Sequence, residues 1–506
     1  MSTPLRTWKG RRVRSAGDDA QSAARKVPES PRSGSLFFIP SPLEGWGLDV
    51  LLDRLPDKSA VVVFEKDEEL DAFVRPAFEA ALGPRLSHPR LFRLRADTEA
   101  AVRDLFARLP LDGLRRVEFL PLNGAWLAHA ARCREVLARL EQGIQRWWTN
   151  RATALHLGRL WVKNLFDNLG SRDFSLESWP HWGSDTVLVC GAGPTLETAL
   201  PWARAHRHRL RVLAVDTALG ALKPWDIVPD AVVAVESQHA NLDDFAGWSG
   251  ARVPLFADLT SYPGATRVFA ERPHWFVSEF APLSFWNRWP DWPEVPRLPP
   301  LGSVGVLAAD LAWSLTRGHV ILAGLDFSYR AGKSHARGTP AVETVLRHAT
   351  RLSPVGQPVW SPQGWSTSPA LSVYASLLAE RLRPYAGRVW LWEQAGAPLG
   401  LKPWPRSALL DPLGVIAPAR SAPRDAVGRW LDDEVLRWKR ILEGFERVNR
   451  LPSDPDWAAL EADLSDVDYL TFDFPDPAFR RDSDWLIRAK NRVLWIQDRL
   501  AARTQN

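Results

Sequence analysis

Three stretches of this chain concentrate the residue types that do chemistry. The first is CGAGPTL, in which Gly191, Gly193, Pro194 and Thr195 follow directly on the apolar run Val187–Cys190. The two glycines open torsions closed to other residues, Pro194 stiffens the bend, and Thr195 is placed to cap a helix running from about Leu196 to His206. Unpaired amides at such a helix start point outward and attract an anion, so the stretch predicts a place to hold phosphate. Leu196 stands where G-x-G-x-x-G has its third glycine and no Gly-Lys-Ser/Thr follows, so a plain tight strand-to-helix connection is the competing reading.

The second stretch runs from Gly302 to Thr339. Gly302, Ser303 and Gly305 open a helix of apolar period, a second amide-rich terminus suited to phosphate or carboxylate. The strand Val320–Ala323 then delivers Gly324 and Asp326, and Tyr329, Gly332, Lys333, His335, Arg337 and Gly338 crowd the loop beyond. Asp326 suits a divalent ion or a sugar hydroxyl, with a turn cap as its plainer role. His335 titrates near neutrality and suits a general base, or a donor to a leaving phosphate; a surface histidine is the plainer reading. Lys333 and Arg337 can neutralise phosphate. The catalytic candidates are thus His335, Asp326 and Lys333. In the third stretch, Asp216, Glu236, Gln238 and His239 follow two more apolar runs and are placed for ribose, base or metal contacts.

Strands must carry these loops. Apolar runs at Val187–Cys190, Val212–Val215, Ala231–Val235, Val253–Phe256 and Val320–Ala323 each end in a polar or glycine residue. Ligands of open α/β sheets collect outside the carboxyl ends of strands, so the loops should converge on one crevice. The fold class is α/β: a Rossmann-like central domain with a mostly parallel sheet, a smaller N-terminal α/β domain and a C-terminal helical region. Strands of the small domain are expected at Ser35–Ile39, Ala60–Phe64, Leu91–Leu94 and Arg116–Leu120. The boundaries read as a basic disordered tail over 1–34, the small domain over 35–145, the central domain over 146–410 and helices over 411–506. A long helix is expected over about 146–169, with Trp161, Asn164 and Asn168 on one face, packed against polar backbone or a ligand. The Pro- and Trp-rich segment 282–300 reads as an irregular excursion or lid, with a merely structural loop as the alternative.

Composition narrows the classes. The 506 residues are 45% hydrophobic and 24% charged, ordinary for a globular protein. No long uncharged apolar run predicts a membrane span or a secretory leader, so a cytoplasmic protein without membrane contact is expected. Residues 1–34 hold eight Lys/Arg against three carboxylates and so carry the whole net charge of +5. The rest of the chain is formally neutral, and its 26 tryptophans follow no basic stripe, which argues against nucleic acid. Cys133 and Cys190 form no metal or disulfide pattern and read as inert core thiols.

Together CGAGPTL, AVDTAL with the following IVPDAVVAVESQ, GSVG and GLDFSYRAGKSHARG resemble the MptE-like domain of archaeal 6-hydroxymethylpterin diphosphokinase and of the bacterial motility accessory factor (Maf) proteins. The resemblance covers about 155–405, with Thr367, Ser368, Pro369, Tyr374 and Gly396–Gly400 looking like its tail. The turn is also similar to that of bacterial sialyltransferases, with Thr195 where these families carry serine. The resemblance implies a nucleotide-dependent transferase with no tightly bound cofactor. In the Maf-like form, a CMP-sugar gives up a nonulosonic sugar to Ser or Thr of a protein acceptor such as flagellin. Gly191, Gly193, Pro194, Thr195, Asp216, Glu236, Gln238, Gly302, Ser303 and Gly324 then contact the nucleotide. His335, Asp326 and Lys333 assist departure of CMP or deprotonate the acceptor. The alternatives are ATP-dependent diphosphate transfer, with Mg²⁺ on Asp216 or Asp326, and a non-catalytic nucleotide-binding motility protein.

Overall fold

The computed structural model describes residues 6–8, 11–14, 18–171, 174–330, 333–352, 364–385, 387–416, 421–448, 456–464 and 483–502. The chain divides into two compact units, 1–153 and 154–506.

In the first unit, β1 (Arg6–Trp8) and β2 (Arg11–Arg14) form an antiparallel pair. A parallel four-stranded sheet follows, built from β3 (Ser35–Pro40), β4 (Ala60–Phe64), β5 (Leu91–Leu94) and β6 (Arg116–Phe119) in the order β5-β4-β3-β6. Its central strands read SLFFIP and AVVVF and are buried along their whole length, as a sheet covered on both faces requires. The tail expected to be disordered instead contains β1, β2 and the helix Asp18–Lys26. Ala23 and Val27 explain the helix: both are buried in the cluster beneath β3 and β4.

The second unit holds eight strands in one sheet. In chain order they are β7 (Val187–Cys190), β8 (Arg211–Val215), β9 (Ala231–Ala234), β10 (Leu255–Asp258), β11 (His274–Ser278), β12 (Arg297–Leu298), β13 (Val320–Ala323) and, after the separate antiparallel pair of β14 (Tyr329–Arg330) and β15 (Trp365–Ser366), β16 (Val389–Leu391). The order across the sheet is β12-β11-β10-β9-β8-β7-β13-β16, and every neighbouring pair is parallel. The fold is α/β as expected, with the mostly parallel central sheet. Strand β12 lies inside the segment that reads as irregular, and β11 and β16 add strands the apolar runs had not marked.

The helix expected over about 146–169 starts earlier and runs Ala130–Leu169. Asn164 and Asn168 do meet polar backbone. Asn164 donates its amide to the carbonyls of Ser237 (2.8 Å) and Thr260 (3.0 Å), and Asn168 donates to those of Leu259 and Ser261 (both 3.0 Å). The loops after β9 and β10 are thus bolted to one helix. The C-terminal region is helical, with Arg424–Arg447, Trp457–Leu464 and Ser483–Ala501. Trp438, Ile441 and Phe445 bury one stripe of the first of these.

Candidate active site at the strand order reversal

From β7 the chain steps outward through β8 to β12, then returns to lay β13 on the other flank of β7. Such a reversal lies at the carboxyl ends of β7 and β13, where open parallel sheets place their ligands. Cys190 and Ala323 are register partners there, so the two glycine-bearing loops leave side by side.

The loops are joined to each other. Gly193 N–H donates to the Gly324 carbonyl (2.8 Å), Thr195 N–H to Asp326 Oδ2 (2.9 Å), and the Thr195 hydroxyl to Asp326 Oδ1. Gly324 N–H in turn donates to Thr195 Oγ1 (3.0 Å). Gly191 N–H reaches the Ala323 carbonyl, and Leu196 N–H that of Gly193. The expectation of outward amides and a capping Thr195 is therefore corrected. These N–H groups are spoken for, and the Thr195 hydroxyl makes no cap bond to its helix, Leu196–Ala205. A negative charge does sit at this helix start, but it is the carboxylate of Asp326, which belongs to the protein. Burial pushes the Asp326 carboxyl up to about 6, against the opposing pull of the Thr195 bonds.

Gly302 and Ser303 precede the helix Val304–Leu315, and Ser303 caps it by accepting from Gly305 N–H (3.3 Å). The anion expected here meets a side chain instead: a Cβ built on Gly305 or on Gly191 would run into the same methyl of Leu325. The Leu325 side chain thus lies against both glycine positions.

Beyond Asp326 the basic loop folds back onto the turn. Ala336 N–H donates to the Ala192 carbonyl (2.8 Å). Glu197, in the first turn of the helix after Thr195, pairs with the Lys333 ammonium (2.7 Å) and accepts from Arg337 N–H (2.8 Å). Burial raises this carboxyl, yet Lys333 and Arg337 together hold it below its ordinary value. The His335 Nδ1 lies 3.0 Å from the Ser334 hydroxyl, and burial keeps its imidazole below the usual histidine range. Gly332 lies outside the described residues. Gly338 crosses Gly220 backbone to backbone, so this loop also touches the short helix that follows Asp216.

Asp216 follows β8 and is buried, accepting from the Asn241 amide (2.8 Å) and Thr217 N–H (2.8 Å). The same amide reaches Asp244 Oδ2 (3.2 Å). Burial pushes Asp216 up to about 6 and Asp244 up to about 7, the charge of Asp216 adding to the latter. Glu236 is exposed and accepts from Gln238 N–H (3.0 Å), and His239 packs edge-on against Tyr262. Asn241, Asp244 and Glu197 escaped the sequence reading. The NLDD run at 241–244 is the signal that marks the first two. Cys190 and Cys133 are buried, and burial pushes their thiols up to about 12 and about 11, which leaves both inert.

No helix among the described residues is long and apolar enough to cross a membrane. Residues 161–332 match the family model described as 6-hydroxymethylpterin diphosphokinase MptE-like. Two proteins of Treponema pallidum (strain Nichols), both called uncharacterized, are similar in sequence. One is 30% identical over 347 residues, 67% of this chain and 59% of that relative; the other is 29% identical over 86 residues, 17% of this chain and 41% of that relative. The chain thus spans 59% and 41% of the lengths of these relatives. Among solved structures, a Maf glycosyltransferase from Magnetospirillum magneticum AMB-1 superposes with a TM-score of 0.55 at 15% identity, covering 96% of this chain and 82% of its own. This likeness is one of fold. The chain accordingly carries an MptE-like domain over residues 161–332 and shares the fold of a Maf glycosyltransferase.

Proposed function

We propose that the protein is a nucleotide-dependent glycosyltransferase working in the cytoplasm. It would move a nonulosonic, sialic-acid-like sugar from a CMP-sugar to a Ser or Thr hydroxyl of a protein acceptor such as flagellin. The observation that carries this reading is the joining of the loops after β7 and β13 where the strand order reverses, Thr195 to Asp326 and Glu197 to Lys333, with the half-buried His335 two residues beyond Lys333. The MptE-like match and the Maf-type fold support it.

In this reading the roles divide by what each side chain is free to do. A neutral imidazole accepts a proton, so His335 takes it from the acceptor hydroxyl as that oxygen attacks the sugar and CMP departs. Asp326 is committed to Thr195 and holds the two crossing loops in place. Lys333, held by Glu197, fixes the basic loop and leaves its positive charge near the departing phosphate. The rim at the ends of β8 and β9, with Asp216, Glu236 and Gln238, takes the ribose and base. Gly191, Gly193, Pro194, Gly302, Ser303 and Gly324 shape the floor.

A thermal-shift panel of CMP, CTP, ATP and GTP, with and without Mg²⁺, tests the reading, because a ligand that prefers the native state raises its melting temperature. Stabilisation by cytidine nucleotides alone is the expected result. The description of the matching family model favours a second reading, diphosphate transfer from ATP to a pterin alcohol. A response to ATP with Mg²⁺ but not to CMP would put that reading first. Nucleotide binding with no turnover in wild type would leave a non-catalytic motility protein.

A further inference from the structure

The helix Ala130–Leu169 buries the stripe Cys133, Val136, Leu140 and Ile144 in a core it shares with the small sheet. Beside that stripe, Arg139, Gln142, Gly143, Arg146, Trp147 and Asn150 recur at the same three-and-four spacing, which marks a second packed face. Packed faces are apolar, and this one is not. Its six residues instead line a cavity of about 400 Å³ in the first unit, a volume within the range of small-molecule sites. The helix Glu99–Phe106 and Leu111 complete the lining. Gly143 shows how the cavity is built: a Cβ there would overlap the Phe106 ring, so the ring lies directly on the helix backbone. Glycine is costly in a helix interior, and this close approach is what the residue makes possible. Phe106, Val102 and Leu111 form the apolar part of the lining, and Trp147 adds a half-buried indole.

The polar part has a sign. Two guanidinium groups, Arg139 and Arg146, face one carboxylate, Glu99. Arg139 spends one N–H on the Asp97 carbonyl, whereas the Arg146 guanidinium and the amides of Gln142 and Asn150 have no partner among the described residues. A guanidinium fork matches carboxylate and phosphate, an aromatic ring packs on a flat apolar body, and a carboxamide both donates and accepts. We propose that this cavity binds a small aromatic anion. The ring of such a ligand lies against Phe106 and Trp147, and its carboxylate or phosphate meets Arg146, with Arg139 as a second positive charge. Gln142 and Asn150 bond polar substituents of the ring. The site lies wholly in the first unit and stands whether or not the transfer reading holds.

Titration of the full chain with para-trifluoromethylbenzoate, followed by fluorine NMR, tests the cavity, with para-trifluoromethylbenzyl alcohol as the uncharged twin. The benzoate should bind at millimolar concentration or below and at least about tenfold tighter than the alcohol, the factor that one hydrogen bond to a charged group supplies. Arg146→Gln, at an exposed position, should remove that preference and leave the melting temperature unchanged. Gln142→Trp, which brings an indole into the cavity from another exposed position, should abolish binding of both probes. If the tryptophan variant melts lower than wild type, Arg146→Gln decides alone. No benzoate binding at millimolar concentration, equal affinity for the two probes, or benzoate binding unchanged by Arg146→Gln would overturn the proposal.

Discussion

Gly191 and Gly324 cross with their backbones in contact at the ends of β7 and β13, so that a Cβ on either would overlap the carbonyl group of the other. Gly324 also holds a φ of +70°, a region L side chains rarely adopt. Gly324→Ala meets both penalties and Gly191→Ala the steric one alone. The expected losses are about 3 and about 2 kcal/mol. Urea denaturation of the two variants checks the order, and an equal loss would mean that the positive φ carries no weight.

Thr195 is both acceptor and donor in a buried chain that runs from Gly324 N–H through its hydroxyl to Asp326. Thr195→Ser keeps both bonds and should stay within about 1 kcal/mol of wild type, whereas Thr195→Val strands a buried N–H and a carboxylate oxygen and should lose about 3 kcal/mol. Melting temperatures of the pair decide. Indistinguishable valine and serine variants would show that the hydroxyl chain does not matter.

Asp326 has its carboxyl raised to about 6 in the folded protein. A raised carboxyl favours the native state while protonated; that contribution is complete below its ordinary value near 3.8 and is lost as pH climbs through about 6. The stability of wild type relative to Asp326→Asn should therefore fall by about 2 kcal/mol between pH 4 and pH 7. Paired denaturation curves across that range would contradict the assignment if the difference stayed flat.

His335 is held below the usual histidine range by burial. If it takes the acceptor proton, sugar transfer should persist to pH values below 6.5 before the acid limb sets in, and His335→Ala should slow transfer by about a hundredfold or more with nucleotide binding intact. Initial rates against pH, alongside CMP titrations, provide the check. Retained turnover in the alanine variant would take His335 out of the chemistry.

The sheet was legible wherever a strand is an unbroken apolar run. Val187–Cys190, Ala60–Phe64 and Val320–Ala323 begin and end where their sequence says, because both faces of these strands are buried. His274–Ser278 opens on a histidine, and Val389–Leu391 is three residues long at the sheet edge, so neither makes such a run. In the site, Gly191, Gly193, Gly324 and Asp326 stood out by local type. What they bond to did not, since Thr195 meets Asp326 and Glu197 meets Lys333 across more than 130 residues of chain. Local spacing describes which groups a loop offers. It is silent on whether a distant part of the same protein takes them first, and at this turn the fold supplies its own anion.

The asparagine pair on the helix Ala130–Leu169 has a bearing on how the crevice would receive a ligand. Four carbonyls in the loops after β9 and β10 are fixed by Asn164 and Asn168, so this rim has surrendered its conformational freedom during folding. A molecule arriving there finds walls already set, and the ordering entropy that a loose loop would demand on association is not subtracted from its affinity.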